Sequence, residues 1–134
     1  MEAAAGFACA SIFGNQGQSC CASSRIFVHE DVYERFLEKV KAIASKLVVG
    51  DPYADETTQG AIVSNDQFQK ILGYIESGKS QGARLVEGGT RVGNKGYFVR
   101  PTVFGDVKDD MKIAKEEVKI MILLIYYLNK YVYI

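Results

Sequence analysis

The sequence predicts an α/β fold, a mainly parallel sheet with flanking helices. Two features carry that expectation. Short segments rich in β-branched and aromatic residues alternate with stretches whose apolar residues recur at the helical period. The longest apolar run, "IMILLIYYL" at residues 120–128, suits a buried strand and falls well short of the ~20 residues of a membrane-spanning helix.

Taken in chain order, "RIFVH" reads as a short strand ending at His29. The next segment, "HEDVYERFLEKVKAIASKLVVGDP", places Val32, Phe36, Leu37, Val40, Ile43, Ala44 and Leu47 on one helical face. Asp31 and Glu34 form a capping arrangement at its start, and Gly50 and Pro52 supply the stop. A second helix begins at Ser64, whose hydroxyl caps the first turn while Gln67 reaches back. Phe68, Ile71, Leu72 and Ile75 form its buried stripe, and Gly78 ends it. "ARLVEGG" is a strand running into a turn, and "GYFVRPTVFGDV" is extended, with Pro101 marking an edge or a break. A short helix follows over residues 110–117. The polar loop "GDPYADETTQGAIVS" is short enough to join elements of one domain.

The 134 residues carry 16 basic and 16 acidic side chains and no basic run, which argues against nucleic acid and anionic membrane as partners. The opening "MEAAAGFACASIFG" lacks the basic n-region of a secretory signal. Three cysteines, two of them adjacent, do not make a disulfide scaffold, so free thiols in a reducing, cytoplasmic setting are expected, with a mitochondrial one also open. Neither the adjacent pair nor His29 reproduces a metal-ligand spacing.

The chemistry concentrates in "FGNQGQSCCASSR", residues 13–25. Gly14 and Gly17 permit tight backbone, Asn15, Gln16 and Gln18 can hold the loop by hydrogen bonds, and "CASSR" can start a helical turn whose N–H groups favour a thiolate and face an oxyanion. Buried filler is the competing reading for any free cysteine, and Cys9 in the alanine-rich segment fits it. The glycine-rich "EGGTRVGNKG" matches neither dinucleotide nor phosphate-loop spacing and reads as a surface turn.

Over residues 2–118, "GNQGQSCCASSRIFVHEDVYERFLEKV", "TTQGAIVSNDQFQKILGYIESGK", "GNKGYFVRPTVFGDV" and "IAKEEV" resemble the NAD(P)-dependent aldehyde dehydrogenase family, nearest its class 1/2 branch. The most specific element is N-x-G-Q-x-C, here Asn15, Gly17, Gln18 and Cys20. The resemblance implies that Cys20 is the nucleophile. Its thiolate attacks an aldehyde, a hydride passes to NAD or NADP, and the Cys20 thioester is hydrolysed by water that a glutamate activates. The family's oxyanion hole pairs the cysteine N–H with an asparagine side chain. The resemblance also implies that Glu117 holds the nicotinamide-ribose hydroxyls and that Gln67 approaches the same ribose. Without it, Glu117 is an exposed acid and Gln67 a capping residue.

It further implies that residues 1–118 are part of a catalytic domain. The glutamate, the oxyanion asparagine and the Rossmann-like cofactor domain belong to preceding family sequence. Residues 119–134 form a divergent apolar tail, where Lys119 replaces an aromatic cofactor contact. These residues alone are therefore expected to hold an incomplete dehydrogenase. The alternatives are a non-catalytic fragment that associates with full-length subunits through exposed sheet surfaces, and a reactive-thiol protein that works without cofactor.

Overall fold

The computed structural model describes residues 1–116 and 121–128. Its elements are α1 (Glu2–Phe13), β1 (Arg25–His29), α2 (Tyr33–Ala44), α3 (Asn65–Ser80), β2 (Arg84–Glu87), β3 (Thr102–Gly105), α4 (Lys112–Lys115) and β4 (Ile122–Leu128). The strands form one sheet in the order β1-β4-β3-β2. β4 runs parallel to both neighbours, with Arg25 opposite Leu124 and Thr102 opposite Ile122; β2 is antiparallel to β3. This is the mainly parallel α/β sheet that the alternating pattern predicts.

The apolar run becomes the inner strand β4, buried from Ile122 to Tyr126 because helices cover both faces of the sheet. Adjacent strand residues show the two layers. Phe104 meets Gly78 of α3, whereas the neighbouring Gly105 lies against Tyr33 and Leu37 of α2. α1 packs on α2, and its Ile12 and Phe13 reach the core.

Some boundaries differ from the sequence expectation. α2 has no side-chain cap at Val32. A 3₁₀ turn at Glu30–Val32 leads into it, with the Asp31 N–H donating to Nδ1 of His29, and the Glu34 carboxylate pairs with Arg84 at 2.8 Å. The same helix ends at Ala44, before Gly50, because Lys46 and Leu47 donate to Ile43 and Ala44 in tighter i→i−3 bonds. Gly78 does not end α3. It lies inside the helix, where a Cβ would stand 3.0 Å from both Phe104 and Ile113, and the chain turns at Gly82 with φ +89°. Small size, not backbone freedom, is what that position uses.

Ser64 caps α3 as expected, its Oγ accepting from the Gln67 N–H at 3.2 Å. The glycine-rich residues 88–96 make the expected turn between strands, whereas "GYFVRPTVFGDV", expected to be extended throughout, forms a strand only over Thr102–Gly105. Thr102 Oγ1 stabilises the turn, accepting from Gly89 N–H at 3.0 Å and donating to the Arg100 carbonyl at 2.8 Å. Pro101 stands immediately before β3, a break rather than a strand position.

Candidate active site

The cysteine loop leaves α1 through three consecutive residues in the left-handed region, Asn15 at φ 49°, Gln16 at 55° and Gly17 at 68°. Asparagine tolerates that conformation better than most residues, and here its side chain also stabilises it. Asn15 Nδ2 donates to the Gln18 carbonyl at 3.1 Å, while the Gln18 N–H returns a bond to the Asn15 carbonyl at 3.0 Å.

Cys20 and Cys21 follow in a hydrogen-bonded turn closed by Ala22 N–H on the Ser19 carbonyl at 3.3 Å. They do not start a helix: Ser23 N–H is drawn to Ser11 Oγ at 3.3 Å, and the Ser24 carbonyl accepts from Leu124 N–H at 2.8 Å, which turns the chain into β1. Both thiols are exposed, and Cys21 Sγ lies 3.3 Å from Ser19 Oγ. Cys9 is a different kind of thiol. Buried at 3% exposure, its Sγ donates to the Val40 carbonyl at 3.8 Å, and burial pushes its pKa up to about 11. That is the packing role its alanine-rich setting predicts.

Gln67 lies beside this loop. An open groove of about 660 Å³ is lined by Asn15, Gln18, Val63, Ser64, Asp66, Gln67 and Lys70. The loop reaches the groove because Gln18 Oε1 accepts from Val63 N–H at 3.0 Å. Asp66, Gln67 and Lys70 lie on the first turns of α3, and the i, i+3 spacing of Gln67 and Lys70 puts them on one face. Of these three α3 residues the family resemblance points to Gln67, and the i, i+3 spacing is the signal in the sequence for Lys70.

Glu117 lies outside the described residues. Its neighbour Glu116 receives a hydrogen bond from the Tyr74 hydroxyl, and this contact, with burial, raises the pKa of the Tyr74 phenol. Tyr74 and Glu116 border a second cavity of about 310 Å³ together with Arg25, Ile113 and Leu124. Among the described residues no cluster of His, Cys, Asp and Glu suits a metal ion, and no helix is long and apolar enough to cross a membrane.

Comparison with known proteins gives a consistent picture. Residues 1–130 match the sequence pattern of the aldehyde dehydrogenase family. The chain is 59% identical over 108 residues to the mitochondrial benzaldehyde dehydrogenase of Antirrhinum majus, a match covering 81% of this chain and 20% of that protein. It is 55% identical over 108 residues to the mitochondrial aldehyde dehydrogenase of Homo sapiens, covering 81% and 21%. The chain thus spans about a fifth of the length of these curated relatives. Among solved structures, the NAD+ complex of the Bacillus cereus aldehyde dehydrogenase superposes with a TM-score of 0.92 at 41% identity, over 97% of this chain and 26% of that one. A C291A variant of aldehyde dehydrogenase C from Pseudomonas syringae, in complex with NAD+ and octanal, gives 0.91 at 32% identity, over 96% and 27%.

Proposed function

The chain belongs to the aldehyde dehydrogenase family, and from that premise we propose that it carries the nucleophile and part of the cofactor groove of a site that oxidises an aldehyde to a carboxylic acid with NAD. One observation supports this most directly. Cys20 is an exposed thiol in a turn anchored on both sides, and the loop that carries it shares the groove holding Gln67.

In this reading the Cys20 thiolate adds to the carbonyl carbon of the aldehyde, forming a C–S bond while the carbonyl π pair moves to oxygen. Bound NAD supplies the acceptor for the hydride that leaves this carbon. The Cys20 thioester that results is cleaved by water, which releases the acid and restores the thiolate. Cys21, facing Ser19 Oγ, is a spectator.

The groove fits the ribose side of a nicotinamide nucleotide. Asn15, Gln18, Ser64 and Gln67 offer neutral donors and acceptors for hydroxyl groups, beside the carboxylate of Asp66 and the ammonium of Lys70. Glu117 is assigned to the same ribose on the family resemblance. The proposed setting is a reducing compartment, cytoplasmic or mitochondrial.

The test uses p-nitrophenyl acetate, whose carbonyl a thiolate attacks with loss of p-nitrophenolate. Peptide mass spectrometry should find the acetyl group on Cys20, absent in Cys20→Ala and retained in Cys21→Ala. Acetylation of Cys21 in place of Cys20 overturns the assignment. Given an aldehyde and NAD, a polypeptide of these 134 residues should form no NADH above the Cys20→Ala control, because the family's general base and Rossmann-like domain are drawn from other sequence. Robust NADH production would show that this part of the reading is wrong.

A second reading, association with a full-length subunit, is supported by the outermost position of β1 and by Phe27 and Phe7, exposed at 57% and 75%. Co-elution with a full-length relative would support it; a stable monomer in that mixture would count against it.

A further inference from the structure

The reactive turn hangs between two anchors of different character. Downstream, Ser23 and Ser24 are fastened to α1 and β4, both parts of the core. Upstream, Gln18 is held through its backbone by Asn15 and through its side chain by Val63, a residue 45 positions away. Val63 is 79% exposed, so water would satisfy its N–H if Gln18 let go. Losing the bond therefore leaves no buried group unpaired. What the bond fixes is geometry: it ties the start of the Cys20 turn to the segment whose next residue, Ser64, caps α3 and walls the groove.

We propose that Gln18 is a positioning residue for Cys20, orienting the thiol relative to the groove through the hydrogen bond from Val63 N–H to its Oε1. The proposal builds on the assignment of Cys20 as nucleophile. Only the acceptor atom matters in it. A side chain of similar length that keeps an oxygen there should preserve the turn, and one that lacks it should let residues 19–22 rotate between their remaining tethers.

The three cysteines make the test self-controlled. The full 134-residue chain is treated with iodoacetamide, and labelling at Cys9, Cys20 and Cys21 is followed separately by peptide mass spectrometry. Gln18→Met removes the acceptor at similar size and should change the Cys20 to Cys21 labelling ratio by about fivefold, the factor associated with a hydrogen bond of typical net strength. Gln18→Glu keeps an acceptor and should hold the ratio within about twofold of wild type. Buried Cys9 should stay unlabelled in all three proteins, showing that the fold is intact.

An unchanged ratio in Gln18→Met overturns the proposal. So does a change seen only together with labelling of Cys9, since Gln18 would then serve folding, and so does Gln18→Glu behaving like Gln18→Met. A wild-type Cys20 no more reactive than Cys21 would count against the nucleophile assignment; the change on substitution judges Gln18 independently of that result.

Discussion

The hydroxyl of Tyr33 donates to the Asp106 carboxylate at 2.9 Å and accepts from the backbone N–H of the same residue at 2.6 Å. This two-bond clamp joins the first residue of α2 to the turn after β3. It holds Asp106 at φ +54°, a left-handed conformation that Asp tolerates better than most non-glycine residues.

Tyr33→Phe leaves the Asp106 N–H without this partner and should destabilise the fold by about 1–3 kcal/mol in urea titrations. A pH signature accompanies it. Burial is the main cause that raises the Tyr33 phenol from 10.0 to about 12. The folded state thus holds this proton more tightly than the unfolded state. Its contribution is complete below pH 10.0 and is lost as pH rises toward about 12. Stability of the wild type should fall across that window, and Tyr33→Phe should make the fall shallower, leaving the part that buried Cys9, raised to about 11, contributes. An equally steep fall in the variant would show that the phenol is not its source.

Two glycines of α3 should respond oppositely to alanine. Gly73 is exposed, and an added Cβ meets nothing within 4 Å, so Gly73→Ala should stabilise by about 0.5–1 kcal/mol through helix propensity. At Gly78 the new methyl would press on Phe104 and Ile113 at 3.0 Å, both buried. Overpacking of about 1–3 kcal/mol outweighs the propensity gain, so the net effect should be a loss of about 1 kcal/mol. Thermal melts of the two variants check the signs, and a higher Tm for Gly78→Ala would contradict the packing role.

Thr102, 0% exposed, joins the turn at Gly89 to the Arg100 carbonyl through one hydroxyl. Thr102→Val keeps the shape and removes both bonds, leaving a buried donor unpaired, and should cost about 1–3 kcal/mol. Thr102→Ser keeps the hydroxyl and should recover most of that loss. A Thr102→Val variant as stable as wild type, with Thr102→Ser the less stable of the two, would place the contribution in the methyl group instead.

What was legible in the sequence follows what periodicity and local chemistry can report. The apolar spacing of Phe36, Leu37 and Val40 marked the face that α2 buries, and Ser64 marked the start of α3. Gly78 was misread as a stop because a sequence pattern does not distinguish a glycine chosen for φ from one chosen for space. The turn at Cys20 was misread as a helix start because Ser11 and Leu124, which pull the chain straight, are remote in sequence. Motif spacing pointed to Gln18, but its bond to Val63 spans 45 residues and follows only from the fold.

Asn15 offers the sharpest separation of stability from function. Its left-handed backbone and its side-chain bond to the Gln18 carbonyl are distinct contributions, and two substitutions divide them. Asn15→Gly accepts the backbone conformation but loses the bond. Asn15→Ala loses the bond and adds about 1–2 kcal/mol of strain. If the bond frames the Cys20 turn, both variants should acetylate Cys20 about fivefold more slowly with p-nitrophenyl acetate, while Asn15→Ala should lose about 1–2 kcal/mol more stability in urea than Asn15→Gly. A wild-type acetylation rate in Asn15→Gly would mean that the loop needs only its backbone conformation, and the upstream hold on the Cys20 turn would then rest on the Gln18 side chain.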